Sequence, residues 1–307
     1  RSPLLLRAAA KNFAHVAVVS SPQQYSVVAE ALRKGRGTLP AALSRQLATA
    51  AFQVTSDYDA AITQFLSSDG GTHQATSTRT EAVFPDAVTL QLRKQQTLRY
   101  GENPHQQGAW YVPAVGEAWG LGTLRHLQGK ELSYNNLLDI DATMRCLLEF
   151  QDSTCAIIKH HAPCGVATAA HLSDAYERAY ACDPESAFGG VVGLNCPLDD
   201  AALAARMTEA FLEVIVAPAV APQALERLKK KPNVRVVTVT WPSSGPRTAE
   251  WRQLLGSWLL QQPDREPGTE EAWPVATARS PSPTERRDLL FAWKAAKHAL
   301  SNGVAIA

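Results

Sequence analysis

The chain has 307 residues, 45% hydrophobic and 19% charged, with a formal net charge of +1. That length supports a sizeable core and predicts two domains. The near-neutral balance excludes a global field that would draw nucleic acid or an anionic membrane, and no apolar run is long enough to cross a bilayer: 211–222 is broken by Glu213, Pro218 and Pro222.

Taken in chain order, a helix-like stretch over Arg7–Asn12 comes first. HVAVVS (15–20) predicts a buried strand. Pro22 suits a helix start, with the helix running to about Lys34. The alanine- and leucine-rich residues 40–67 predict one or two helices. Residues 68–82, SDGGTHQATSTRTEA, are polar and rich in turn formers, which predicts a domain boundary there. AVTLQLRKQQTLRYG (87–101) has strand-like alternation. Leu137, Leu138, Ile140, Met144, Leu147 and Leu148 recur at helical spacing over 136–150.

A β-α-β pattern follows: strand 155–159, helix about 173–182, strand 189–195. EVIVAP (213–218) and VRVVTVTW (234–241) add strands, which together argue for an α/β domain. Residues 242–283 are proline-rich and charged and predict irregular surface structure. Ser282-Pro283-Thr284-Glu285 is a capping box with proline at the first helical position. Its helix should place Leu289, Trp293, Ala296 and Leu300 on one face. The chain starts at Arg1-Ser2-Pro3 without methionine, and Gly303–Ala307 reads as a strand just beginning. Both features point to a piece of a longer protein, with no signal peptide. The five cysteines (146, 155, 164, 182, 196) form no Cys-x-x-Cys pair and suit free thiols in a reducing cytosol.

Four stretches carry candidate chemistry. In CAIIKHHAPCG (155–165) a buried strand delivers Lys159, His160 and His161 to its carboxyl end, and Pro163 and Gly165 then turn the chain. A cation beside an imidazole suits acid/base work on an anionic substrate, although a Lys-His pair also serves as surface decoration. LRYGENPHQ (98–106) gathers Arg99, Tyr100, Asn103, His105 and Gln106 around a turn. Such a loop can grip a phosphate or a planar heterocycle, or can simply satisfy its own backbone. In SYNNLLD (133–139), Asn135 and Asn136 sit just before a helix; one suits a cap and the other a ligand. In DPESAFGGVVGLN (183–195) the glycines permit close approach of a ligand, tight packing or a bulge. A zinc site on His160, His161 and Cys164 is the rival reading. It lacks the second cysteine of Pro-Cys-x-x-Cys and the His-x-Glu element of zinc deaminases, so no metal is expected.

In order, LRYGENPHQ, GKELSYNNLLD, KHHAPCG, SAFGG, EVIVAP and AWKAAKHALSN resemble the bifunctional AICAR transformylase/IMP cyclohydrolase family, and LLLRAAAKN (4–12) and SDYDAAI (56–62) resemble its cyclohydrolase domain. The resemblance covers nearly the whole chain. It implies the C-terminal part of a methylglyoxal-synthase-like domain over 1–78, then a cytidine-deaminase-like three-layer transformylase subdomain over 79–307. It implies formyl transfer from the co-substrate 10-formyltetrahydrofolate to AICAR, giving FAICAR, and cyclisation to IMP in the longer protein.

Carried onto this sequence, the resemblance makes His160 the general base and Lys159 the stabiliser of the oxyanion or of the departing folate nitrogen, with Asn302 near the formyl group. Arg99, Tyr100, His105, Asn136, Phe188, Gly189 and Glu213 match nucleotide-site positions. Lys11 and Asn12 match positions of the cyclohydrolase nucleotide site. A cytoplasmic homodimer with its active site at the interface is implied, without nucleic-acid or membrane partners. Departures are His161, where bacterial relatives more often have alanine, Gly303 after Asn302, and GSWLL (256–260) in place of a double-glycine pattern. The competing expectation is a truncated, non-catalytic nucleotide-binding or dimerisation piece of the same protein.

Overall fold

The computed structural model describes residues 2–67, 84, 87–114, 116–241, 249–264 and 273–307. The boundary expected at 68–82 and parts of the irregular segment 242–283 lie outside the described residues. The chain divides into two compact units, Arg1–Arg93 with Pro113–Glu117, and Lys94–Val112 with Ala118–Ala307.

Helices are the main elements described in the first unit. Helix α1 is Pro3–Lys11, α2 is Tyr25–Lys34 and α3 is Ala41–Ser67, a single helix over the alanine-rich stretch. A short 3₁₀ turn, Pro22–Gln24, leads into α2 and is closed by a capping box from Ser21 and Gln24. The core is small: Ala10, Val18, Ala48 and Ala51, backed by Leu6, Phe13 and Phe52. The strand expected at 15–20 is not formed. Val18 and Ser20 are buried, but 16–20 is extended chain without a ladder among the described residues. Burying an apolar run does not make a strand unless a neighbour completes its hydrogen bonds.

In chain order a two-stranded sheet follows, of β1 (Leu92–Leu98) and β2 (Gly108–Pro113). Then come β3 (Arg125–Gln128), α4 (Tyr134–Leu147), β4 (Thr154–Lys159), β5 (Ala162–Thr168), α5 (Leu172–Cys182), α6 (Pro184–Ala187), β6 (Val191–Leu194), α7 (Ala201–Met207), β7 (Val214–Ala217), α8 (Pro222–Leu228) and β8 (Arg235–Thr238). The main sheet has six strands in the order β3-β8-β7-β6-β4-β5. β6, β7 and β8 are parallel, joined through α7 and α8; β4 runs antiparallel to both β5 and β6.

The expected β-α-β unit is therefore corrected. β4 and β6 pair antiparallel, and the parallel crossover is β5–α5–β6 with β4 lying between its strands. The sequence reading missed β5 because Pro163 and Gly165 look like turn formers.

Both sheet faces are covered, so β6 and β7 are buried at every position. Cys155 and Ile157 of β4 join a core with α5, α7 and α8, whereas Ala156 and Ile158 face the α4 side. The result is a three-layer α/β/α arrangement. Two glycines permit the close helix approach. A Cβ on Gly193 of β6 would lie 2.0 Å from Thr143 Cγ2 of α4, and one on Gly165 of β5 would lie 1.9 Å from the Ala179 carbonyl oxygen of α5.

Three further expectations are corrected. Within 242–283 the chain forms an antiparallel hairpin, β9 (Glu250–Leu254) with β10 (Ser257–Gln261), turning at Gly256 with φ +77°. Its short strands, EWRQL and SWLLQ, lack a clean alternation and lie among prolines and charges, so the sequence gives no plain strand signal there. Helix α9 (Pro283–Ala296) carries the capping box as expected, yet Leu289 and Leu300 are exposed. It packs through Phe291, whose ring lies 5.1 Å from that of Phe150. Residues 303–307 form no strand.

Candidate functional site

The site begins at the β4–β5 turn. Lys159 pairs with Ala162, so the loop is only His160–His161, with φ of 53° and 66°. Two successive left-handed residues make a two-residue loop of the type I′ kind, whose twist matches the flanking strands. Pro163 and Gly165 do not turn the chain; they lie within β5 opposite Ile158 and Ile157, either side of a register shift. β5 is the edge strand, where proline costs no ladder bond.

The turn is held from two sides. Lys159 Nζ donates to the Phe188 carbonyl at 2.7 Å. The His161 N–H donates to Asp139 Oδ1 of α4 at 2.8 Å, and His161 Nε2 lies 3.9 Å from the same oxygen. Burial pushes the Asp139 carboxyl above its ordinary value, against the lowering effect of the His161 amide. Phe188 packs against Phe211, ring centroids 4.8 Å apart and planes tilted by 35°, and the Gly189 N–H, at φ +76°, donates to the Phe211 carbonyl at 2.7 Å.

Phe211 leads into a cavity of about 280 Å³ that is also lined by Arg99, Tyr100, Lys130, Glu213 and Arg235. Glu213 is fixed through its backbone, its N–H donating to the Gly190 carbonyl and its carbonyl accepting from the Arg235 N–H. Its Oε2 accepts from Asn136 Nδ2 and from Arg235 Nη1, each at 3.1 Å. Arg235 Nε donates to the Glu131 carbonyl at 2.9 Å. Burial lowers the Arg235 guanidinium from its ordinary value; Glu213 opposes this and the nearby Arg99 adds to it. The Arg99 guanidinium also lies over the Tyr100 ring, 5.4 Å from its centroid.

The helix cap differs from expectation. Ser133 is the N-cap of α4, and Asn135 and Asn136 lie inside the helix. Asn136 serves twice: its Oδ1 accepts the Ser133 N–H, and its Nδ2 holds Glu213. Asn135 Nδ2 reaches the Glu102 carbonyl of the β1–β2 loop at 3.4 Å. Within that loop Asn103 and Gln106 bond to each other, so these two satisfy the turn itself.

Of the expected residues, Lys159, Phe188, Gly189, Asn136 and Glu213 take part in these contacts at one edge of the main sheet; His160 adjoins Lys159 in the turn, and Arg99 and Tyr100 line the cavity beside Glu213. That edge is the carboxyl end of β4 but the amino end of parallel β6, β7 and β8. His105 lies exposed on the β1–β2 loop. Asn302 lies exposed beyond α9, its Oδ1 accepting the Ser301 hydroxyl at 3.0 Å. Lys11 ends α1 and Asn12 caps it in the first unit, both exposed.

Sequence reading missed Asp139, Lys130 and Arg235. Asp139 follows Asn136 by three residues, on the same helix face, and Arg235 is a lone charge inside an apolar strand; both signals were present. Among the described residues no group of three or more His, Cys, Asp or Glu is arranged to hold a metal ion. No described helix is long and apolar enough to cross a membrane.

The comparisons agree on one family. The model described as "AICARFT/IMPCHase bienzyme" matches residues 9–307. The bifunctional purine biosynthesis protein PurH of Synechococcus elongatus is 45% identical over 307 residues, covering 99% of this chain and 57% of that protein. PurH of Xylella fastidiosa is 44% identical over 306 residues, and that of Xanthomonas campestris pv. campestris 42% over 305, with the same shares covered. The chain thus spans 57% of the length of these curated relatives. With a family model matched over all but its first eight residues, the chain belongs to the AICARFT/IMPCHase bienzyme family.

Proposed function

We propose that the second unit is the nucleotide-binding and catalytic part of an AICAR transformylase. In this reading, residues 79–307 form a cytidine-deaminase-like subdomain and residues 1–78 the end of a methylglyoxal-synthase-like cyclohydrolase domain. The observation that carries it is the contact path from the Lys159–His160 turn, through Phe188 and Phe211, to the cavity of Arg99, Lys130, Arg235 and Glu213. A cavity with three cationic side chains suits a phosphate monoester, and a carboxylate held in place beside them suits the donors of a carboxamide or amine.

The 5-amino nitrogen of AICAR attacks the formyl carbon of 10-formyltetrahydrofolate, and His160 takes the amino proton as general base. Lys159 stabilises the oxyanion of the tetrahedral species. The bond from the formyl carbon to N10 then breaks, N10 recovers a proton, and FAICAR and tetrahydrofolate leave. Arg99 and Tyr100 hold the nucleotide, Asn136 fixes Glu213 against it, and Phe188 and Gly189 shape the wall next to Lys159. His105 and Asn302 complete the site in the whole protein, Asn302 near the formyl group. In cyclisation the carboxamide nitrogen closes onto the formyl carbon with loss of water, giving IMP; Lys11 and Asn12 contribute to that nucleotide site. The protein works as a cytoplasmic homodimer with its active site at the interface.

The test is formation of FAICAR from AICAR and 10-formyltetrahydrofolate by the full reading frame that carries this chain. Turnover supports the reading. Absence of transfer by a folded protein that binds the nucleotide overturns it in favour of a non-catalytic binding piece.

A further inference from the structure

We propose that Asp139 is a positioning residue for the His160 imidazole, acting through the backbone of the β4–β5 turn; this rests on the formyl-transfer reading of the site. His160 and His161 both adopt left-handed backbone, with φ of 53° and 66°, a conformation disfavoured for any residue with a Cβ and normally met by Asn-Gly in loops of this length. The turn closes onto β5, an edge strand, so among the described residues no further strand braces it from that side. Lys159 Nζ holds its near end through the Phe188 carbonyl, and the two-residue loop itself is tied to the body of the unit by the bond from the His161 N–H to Asp139 Oδ1, 2.8 Å long and crossing from the sheet edge to α4.

The grip is on the backbone rather than the ring. His161 Nε2 is 3.9 Å from the carboxylate, beyond hydrogen-bond reach, and the His161 side chain is 41% exposed while that of Asp139 is 16% exposed. Asp139 is also placed by the element that organises the cavity. It lies three residues after Asn136 on the same face of α4, so one helix face fixes Glu213 through Asn136 and the catalytic turn through Asp139. Releasing the turn would leave the nucleotide cavity in place while the direction of the His160 ring varied.

The experiment compares Asp139→Ala, Asp139→Asn and the double variant Asp139→Ala/His161→Gly in the full reading frame. Asparagine keeps an oxygen acceptor for the amide, and glycine adopts the left-handed conformation freely. Loss of a buried hydrogen-bond acceptor predicts that Asp139→Ala lowers kcat by about 10- to 100-fold. KM for AICAR should stay within about twofold, because Arg99, Glu213 and Arg235 are untouched. Asp139→Asn should retain most of the parent kcat, and the double variant should recover most of the loss. In hydrogen exchange, the His161 amide should exchange at least about tenfold faster in Asp139→Ala than in the parent, and at the parent rate in Asp139→Asn.

Parent-like kcat in Asp139→Ala, or equal damage in the Asn and Ala variants, would overturn the assignment. If Asp139→Ala does not fold, Asp139→Asn decides: parent-like kcat and exchange uphold the acceptor role, and their loss refutes it. An inactive parent would count against formyl transfer itself. His161 exchange then tests the tether alone, and an unchanged rate in Asp139→Ala would refute it.

Discussion

The Glu213 carboxylate meets the Arg235 guanidinium at 3.1 Å, and the two side chains differ sharply in exposure, 41% for Glu213 and 8% for Arg235. Removing the carboxylate therefore strands a buried cation, leaving the Glu131 carbonyl as its remaining partner from this network. Glu213→Ala should destabilise the second unit by about 2 kcal/mol. Glu213→Gln, which keeps an oxygen for both Arg235 and Asn136, should cost less than about 1 kcal/mol. Urea denaturation at constant m-value checks this, and equal losses in the two variants would show that the pair is not holding Arg235.

The left-handed turn makes a prediction of opposite sign. His161→Gly removes the clash between Cβ and the following carbonyl and should stabilise the protein by about 1 kcal/mol, after allowing for the greater freedom of glycine in the unfolded chain. His161→Val should destabilise, because a β-branched side chain tolerates positive φ least. A rise in thermal midpoint for Val, or a fall for Gly, would contradict the observed backbone.

Two glycines set how closely helices approach the sheet, and their neighbours rank them. At Gly193 a new methyl would meet side-chain atoms of Thr143 and Leu147, which can give way. At Gly165 it would meet backbone, the Ala179 carbonyl, which cannot. Gly193→Ala should cost about 1–3 kcal/mol, and Gly165→Ala should cost more and move the hairpin that bears His160. Comparing denaturation midpoints checks the order.

Glu149 should make stability depend on pH. Burial alone would raise its pKa, but His298 at 3.3 Å and Lys297 at 2.9 Å outweigh that and lower it. A carboxylate whose folded pKa is depressed contributes stability that is present above its unfolded value, near 4.3, and is lost as pH falls through the lower folded value. Glu149→Gln should therefore be less stable than the parent near neutral pH, and the gap should close in acid. A gap independent of pH would remove Glu149 as the cause.

Much of this molecule can be read from residue order, and the exceptions have physical causes. The burial pattern of β4, β6, β7 and β8 is plain because strands covered on both faces need continuous apolar runs, and Ser282-Pro283-Thr284-Glu285 encodes its own helix start locally. β5 stayed hidden because Pro163 and Gly165 are tolerated there by an edge position and a register shift, both properties of the sheet rather than of the segment. The extended run 16–20 shows the converse, strand-like residues without a described partner.

At the site, Lys159, His160 and Arg99 stand out by type and spacing, whereas Glu213 is pointed to by the family resemblance alone. The turn at His160–His161 does not, since nothing in two histidines announces left-handed backbone; Asp139, 22 residues earlier, holds it. Likewise Asn136 looks like a cap; it is the third helical residue, closing a capping box with Ser133, and its link to Glu213 across 77 residues exists only once α4 lies against the sheet.

The most direct test is single-turnover formyl transfer by the full reading frame with His160→Ala against the parent. An active parent whose rate of FAICAR formation falls by about 10²- to 10⁴-fold in the variant, with AICAR binding retained, is the predicted result for loss of a general base. A variant that transfers the formyl group at the parent's rate would contradict the assignment of His160 and, with it, the role given to the β4–β5 turn.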